Sequence, residues 1–111
     1  YNLVEILKNF TFANLIKLED INLDNNKISI LESYSFKNLS NLQILDLRNN
    51  YLKFISTYII QELSSLGTIF LSNNQIEYLQ DESKLKGLKL VRTLYLNANK
   101  IKFLNNNKVF K

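Results

Sequence analysis

The chain contains no histidine and no cysteine, and only two glycines in 111 residues. Without histidine there is no imidazole to serve as a general base, a pH switch near neutrality or a metal ligand of that type. Without cysteine there is no disulfide, no thiolate nucleophile and no zinc knuckle. Glycine stands only at Gly67 and Gly87, which excludes a glycine-rich phosphate-binding loop. No stretch approaches the ~18 uninterrupted apolar residues of a membrane span, so no membrane insertion is expected from this segment. No leader pattern opens at Tyr1 either; if the protein is secreted or anchored, those elements are expected to lie outside the segment. Little is left on which catalysis could be built, and the expectation is a chain that is not an enzyme and uses no cofactor.

What is present is repetition. LEDINLDNNKI begins at Leu18, LQILDLRNNYL at Leu42, LGTIFLSNNQI at Leu66 and VRTLYLNANKI at Val91, with starts 24, 24 and 25 residues apart. Five framework slots recur in each copy, and all twenty are apolar, from Leu18, Ile21, Leu23, Ile28 and Leu31 to Val91, Leu94, Leu96, Ile101 and Leu104. At 46% apolar composition, chance alone would fill them with a probability of roughly 10⁻⁷.

Inside each copy the core x-L-x-L-x alternates with period two, the mark of a strand buried on one face. Ile21 and Leu23 are therefore expected to point inward and Asp20, Asn22 and Asp24 outward. Stacked copies give a parallel sheet with strands about 4.8 Å apart. The ninth slot is asparagine every time: Asn26, Asn50, Asn74 and Asn99. An amide donates and accepts at once, so this column is expected to satisfy backbone groups of adjacent coils that would otherwise be buried unpaired.

The returning half of each copy carries further apolar columns. Phe12, Phe36 and Ile60 share one slot and Leu15, Leu39 and Leu63 another; in the third copy the equivalents, Leu85 and Leu88, are displaced by one. A third column runs through Ile6, Ile30, Phe54, Tyr78 and Phe103. Such columns are expected to form mostly a stacked internal spine. The alternative is a partly exposed stripe used for docking.

These residues and spacings resemble the leucine-rich repeat family, in the class of about 24 residues per repeat whose pattern continues as N-x-L-x-x-L…F-x-x-L. Here that continuation is Asn26-Lys-Ile28-Ser-Ile-Leu31 followed by Phe36-Lys-Asn-Leu39. The resemblance covers nearly the whole chain. It implies an α/β fold: a right-handed solenoid with a parallel β-sheet on the concave face and an irregular or short helical convex side. The repeat frame divides the single array into a partial repeat over 1–17, repeats at 18–41, 42–65 and 66–90, and an incomplete repeat over 91–111. Both ends fall inside repeats and neither resembles a cap, so more repeats, a capping chain or an oligomeric neighbour are expected at both ends. The chain departs from the family in two ways. Proline after the last framework leucine is missing (Glu32, Ser56, Gln80 and Asn105 stand there), and so are the cysteine-bearing caps.

The resemblance also implies a setting and a role. This class is found mainly in extracellular receptor and adhesion ectodomains, including Toll-like receptors and insect immune proteins. A secreted or cell-surface glycoprotein of innate immunity is the implied context, with a cytoplasmic protein as the alternative. Two sequons, at Asn9 and Asn38, fall on the returning side, where a glycan would be tolerated; composition alone gives about two such triplets.

Recognition is expected on the concave face, with a protein as ligand. Its outward residues change along the array, from Asp20, Asn22 and Asp24 through Ile44, Asp46 and Arg48 to Phe70 and Ser72, then Arg92, Tyr95 and Asn97. Phe70 and Tyr95 share a slot on adjacent strands and should stack; exposed aromatics beside arginine are the usual make-up of a binding hot spot. The alternative is plain cross-strand stabilisation of the sheet. Glu19, Asp20, Asp24 and Asp46 form a carboxylate cluster, read as a solvated acidic patch rather than a metal site.

Charge changes along the chain as well: residues 1–83 are net −4, whereas residues 84–111 hold eight basic and no acidic side chains. A neutralising neighbour beyond the segment is the simplest reading. The rivals are a polyanion, nucleic acid or heparan sulfate, held by Arg92, Lys100 and Lys102, and an assembly repeat that self-associates through its open ends.

Overall fold

The computed structural model describes residues 3–12, 14–56, 59, 63–80, 93–95 and 97–99. The repeat period becomes strand register. Strands β2 (Asp20–Asn22), β4 (Ile44–Asp46), β6 (Thr68–Phe70) and β8 (Thr93–Tyr95) form one four-stranded parallel sheet in the order β2-β4-β6-β8. Ile21 pairs with Leu45, Leu45 with Ile69 and Ile69 with Leu94, so every strand sits one repeat from its neighbour. Each strand is only three residues long because the chain turns inward at once after it. Parallel pairing then demands a crossover, and the rest of each repeat supplies it. The result is a right-handed solenoid with this sheet on its concave face.

Behind the sheet a second, interrupted parallel ladder forms where the chain returns. It consists of two separate pairs, β1 (Ile6–Leu7) beside β3 (Ile30–Leu31), and β5 (Phe54–Ser56) beside β7 (Tyr78–Gln80). The remaining convex segments are turns, and Ile59 alone among the described residues is helical. Among the described residues one apolar core lies between the layers. Leu45, Leu47, Leu52, Ile69, Leu71 and Ile76 are closed to solvent within it. Phe36 stacks on Phe12 with ring centroids 5.9 Å apart, making the internal spine expected of that column. Ile60, Leu85, Leu88 and Phe103, and the framework residues Val91, Leu96, Ile101 and Leu104, lie outside the described residues.

The third apolar column does not join this spine. Leu7 and Ile55 point into the core, while the residues just before them, Ile6 and Phe54, are exposed, as is Ile30 before half-buried Leu31. The reason is local geometry. Ile28 and Leu31 both turn inward, so the two residues between them must take the outer corner. A fixed period shows that a column exists but not which side of the wall it lies on.

The asparagine column closes the coils. Asn50 Nδ2 donates to the carbonyls of Leu23, Leu47 and Arg48, each at 3.0 Å, and Asn50 Oδ1 accepts the Ile28 N–H at 3.0 Å. Asn74 repeats the arrangement with Leu47 O (2.9 Å), Leu71 O (3.1 Å) and the Leu52 N–H (3.0 Å). Asn99 reaches Leu71 O at 2.9 Å and accepts the Ile76 N–H at 3.0 Å. Asn26, on the outermost of these coils, donates to Leu23 O at 3.0 Å and accepts the Val4 N–H at 3.4 Å. No described buried side-chain nitrogen or oxygen is left without a partner.

The residue before each of these asparagines has a left-handed backbone: Asn25 at φ 59°, Asn49 and Asn73 at 58°, and Ala98 at 58°. Asparagine tolerates this region, whereas alanine pays the full Cβ clash. Ala98→Gly is therefore expected to raise stability by about 1 kcal/mol. A higher midpoint in urea unfolding would show it, and an unchanged or lower midpoint would contradict it.

Candidate functional site

The four-stranded sheet sets the outward side chains in rows. Asn22, Asp46, Phe70 and Tyr95 are register partners across all four strands, and Asp20 and Ile44 begin the row two residues earlier. Asp24, Arg48, Ser72 and Asn97 follow just past the strand ends. Backbone bonds continue the ladder there: Asn25 N–H to Arg48 O at 3.1 Å, Asn49 N–H to Ser72 O at 3.1 Å, and Asn73 N–H to Asn97 O at 3.1 Å. The sequence-predicted residues Asp20, Asn22, Asp24, Ile44, Asp46, Arg48, Phe70, Ser72, Tyr95 and Asn97 thus share one surface. Arg92, Lys100 and Lys102 lie outside the described residues.

The centre of that surface is one stack. Arg48 grips Asp46 with two hydrogen bonds, Nε to Oδ1 at 3.0 Å and Nη2 to Oδ2 at 2.6 Å. A fork-to-fork pair of this kind fixes the guanidinium plane. Arg48 Cζ then lies 4.7 Å from the centroid of the Phe70 ring. Phe70 in turn stacks on Tyr95, with centroids 4.9 Å apart and planes 2° from parallel. Carboxylate, guanidinium and two rings follow one another along neighbouring strands. The parallel register sets the two side chains on neighbouring strands about 4.8 Å apart, a spacing that suits face-to-face stacking. Tyr95 remains 44% exposed, and the Arg48 side chain 42%.

Two residues expected on the open face are covered. Asp46 is 5% exposed, roofed by Arg48, and its Oδ1 also accepts the Arg48 N–H at 3.1 Å. Ser72 is buried and donates its Oγ–H to Asn97 Oδ1 at 2.5 Å. These two hold up the face rather than present it. At the other end Asn22 Oδ1 accepts the Asp24 N–H at 2.9 Å, which closes the strand end locally. Asp24 Oδ1 accepts a bond from Asn49 Nδ2 at 2.9 Å. Asn49 was not among the expected site residues. Its signal was the Asn-Asn doublet, in which the first member bends the chain and the second stitches the coils.

Burial pushes the Asp46 carboxyl upward, but the hydrogen bonds and charge of Arg48 outweigh burial and hold it below the ordinary carboxylate range. Asp46 reciprocally raises the Arg48 guanidinium. A lowered folded-state value means the pair's stabilisation is complete above the unfolded carboxylate value of about 3.9 and is lost as pH falls through the folded one. Acid should therefore weaken the fold below about pH 4, and Asp46→Asn should flatten that acid limb. Urea midpoints measured over a pH series check this; identical acid limbs for the two proteins would contradict it.

Among the described residues no group of three or more acidic side chains is arranged to hold a metal ion. No helix of the described residues is long and apolar enough to cross a membrane. Asn9 and Asn38 are both exposed on the returning side. Asn9 Oδ1 accepts the Tyr34 N–H at 2.8 Å, and Asn38 has a left-handed backbone at φ 67°.

Comparison with known proteins adds the following. A family model described as leucine rich repeat matches residues 1–52, 16–76 and 40–101. Among solved structures, TLR13 in its ssRNA13 complex superimposes with a TM-score of 0.83 at 32% identity, covering 91% of this chain and 14% of that one. An internalin (inlF) from Listeria monocytogenes superimposes with a TM-score of 0.58 at 25% identity, covering 91% of this chain and 35% of that one. The chain thus spans well under two thirds of either protein. No curated protein sequence matches it significantly.

Proposed function

The chain belongs to the leucine-rich repeat family, and from that premise we propose that it is a non-catalytic recognition module binding a protein partner on its concave face. The observation that carries this reading is the Arg48–Phe70–Tyr95 stack, in which Asp46 holds the guanidinium and the edge is open to solvent. Rigid aromatics beside arginine bind with little loss of conformational entropy, which is why they dominate protein interfaces. Arg48 has five N–H donors and spends two side-chain bonds on Asp46. The remaining donors can meet a carboxylate or a backbone carbonyl of the partner.

The acidic end of the same surface favours a protein over a polyanion. Asp20 and Asp24 lie on the first strand and just past it, where they repel phosphate and attract lysine or arginine. An extracellular or cell-surface setting fits the exposed sequons at Asn9 and Asn38 and the resemblance to receptor ectodomains. Secretory expression followed by glycosidase treatment tests it: a mass decrease supports the setting.

A specific observation favours a second reading. Parallel stacked rings with an arginine are also a platform for unpaired bases, and the TLR13 structure is a complex with ssRNA13. One experiment separates the two. A displayed peptide library is panned on the chain, with Phe70→Ala and Tyr95→Ala as counter-selection, and poly(U) binding is titrated beside it. Peptides lost by at least about tenfold from both variants, with poly(U) unbound, support the protein reading. Poly(U) binding that falls steeply with salt and depends on Phe70 supports the second. Peptide affinities unchanged by both variants contradict the concave-face site.

A further inference from the structure

The concave sheet carries an apolar residue that the Arg48–Phe70–Tyr95 stack does not account for. Ile44 opens strand β4 in an outward slot and is 36% exposed. Its register partner on β6 is Thr68, and Phe70 stands two residues further along that strand. Ile44 is therefore the diagonal neighbour of Phe70, with about 8 Å between their backbones. Phe70 in turn stacks on Tyr95. The three side chains make an oblique apolar strip across β4, β6 and β8. Isolated exposed aliphatics are ordinary. One that extends a solvent-open aromatic stack enlarges a binding surface.

The charges around the strip are unequal in what they have left to give. Of the three outward carboxylates, Asp46 is held by Arg48 in two hydrogen bonds. Asp24 accepts a bond from Asn49 Nδ2 at 2.9 Å, and its charge acts on the Arg48 guanidinium. Asp20 is exposed, and among the described residues its carboxylate meets no hydrogen-bond donor and no cation. It is the register partner of Ile44, so it stands at the near end of the strip.

A lysine or arginine side chain fits this pair. Its methylene stem covers Ile44 while its cation reaches Asp20. The adjoining stack takes a ring or a branched aliphatic group. Three strand spacings, about 14 Å, separate Asp20 from Tyr95, and an extended chain advances about 3.3 Å per residue. With the basic stem spanning part of that distance, the two ligand residues fall about two to four positions apart.

Resting on the concave-face reading above, we propose that this surface recognises an extended peptide in which a lysine or arginine stands that far from an aromatic or aliphatic residue. The basic residue sits on Asp20 and Ile44, toward β2, and the apolar residue sits on Phe70 and Tyr95, toward β8. The peptide thus crosses the strands in a defined direction.

A displayed library of random peptides panned on the 111-residue chain tests the proposal. Affinity of the best peptide is then measured by fluorescence anisotropy, with circular dichroism confirming that each variant is folded. Selected peptides should carry lysine or arginine at that spacing from an apolar residue. Asp20→Asn should weaken the best peptide about tenfold, and so should alanine in place of its basic residue. The two changes together should cost little more than either alone, because they remove the same contact. Panning on Asp20→Lys should bring in aspartate or glutamate where the basic residue stood. Peptides lacking a basic residue at that spacing would overturn the proposal. So would an affinity that Asp20→Asn leaves unchanged while Phe70→Ala abolishes it, and the concave-face site itself would then stand. A panning that yields no peptide dependent on Phe70 and Tyr95 would overturn both.

Discussion

Asn50→Ala is expected to lower the unfolding free energy by about 2–4 kcal/mol, since one buried N–H is left without an acceptor at about 1–3 kcal/mol and three carbonyls each lose one of two donors at a smaller cost. The Ile28 N–H would lose its acceptor, and the carbonyls of Leu23, Leu47 and Arg48 would lose a donor. Two coils meet at this one amide, so the damage falls on their interface, the unit from which a solenoid draws its stability. A domain of this size has about 5–15 kcal/mol in total, so the variant would lose a large share of its stability. Asn50→Asp separates bonding from packing. It keeps the shape and the acceptor for Ile28 but removes both donor hydrogens, and should cost nearly as much. Asn99→Ala, at a half-buried position, should cost about 1–2 kcal/mol. Urea unfolding followed by circular dichroism gives all three values. A loss under about 1 kcal/mol for Asn50→Ala would mean the column is decorative.

Phe36→Ala is expected to cost about 3–5 kcal/mol, the usual range for emptying a phenylalanine site in a packed core. Phe36 is 1% exposed and lies flat on Phe12 between coils, so neighbours on both sides limit collapse of the cavity. Phe54→Ala is the matched comparison: the same deletion at a different slot of the next repeat, in a column that also repeats every 24 residues. Phe54 stands on the outer corner, and its removal should cost no more than about 1 kcal/mol. Equal losses at the two positions would show that the inner and outer columns have been assigned to the wrong sides.

That contrast also shows how much of the molecule was legible in its residues. The framework leucines and the Asn column gave the repeat, the parallel register and the number of residues between strands, because stacking turns sequence period directly into hydrogen-bond partnership. The Phe70–Tyr95 pair followed from the same register. What did not follow was any feature decided within a repeat. Ile28 and Leu31 both turn inward, and this pushes Ser29 and Ile30 out, which a count of apolar slots does not distinguish from an internal column. Asp46 sits in an outward slot, yet Arg48 two residues later folds over it. Only the rotamer of that arginine decides whether a carboxylate is presented or buried. Asn25, Asn49 and Asn73 were visible as doublet partners, but their left-handed backbone became evident only with the turn itself.

The central claim is that a ligand engages the stacked edge of the concave sheet. Amide NMR spectra of the chain titrated with a peptide selected on it test this most directly. The account predicts shifts concentrated at Arg48, Phe70, Ser72 and Tyr95, with Ile6, Ile30 and Phe54 on the second ladder unmoved. Shifts centred on that second ladder, with the Arg48–Phe70–Tyr95 stack undisturbed, would contradict it.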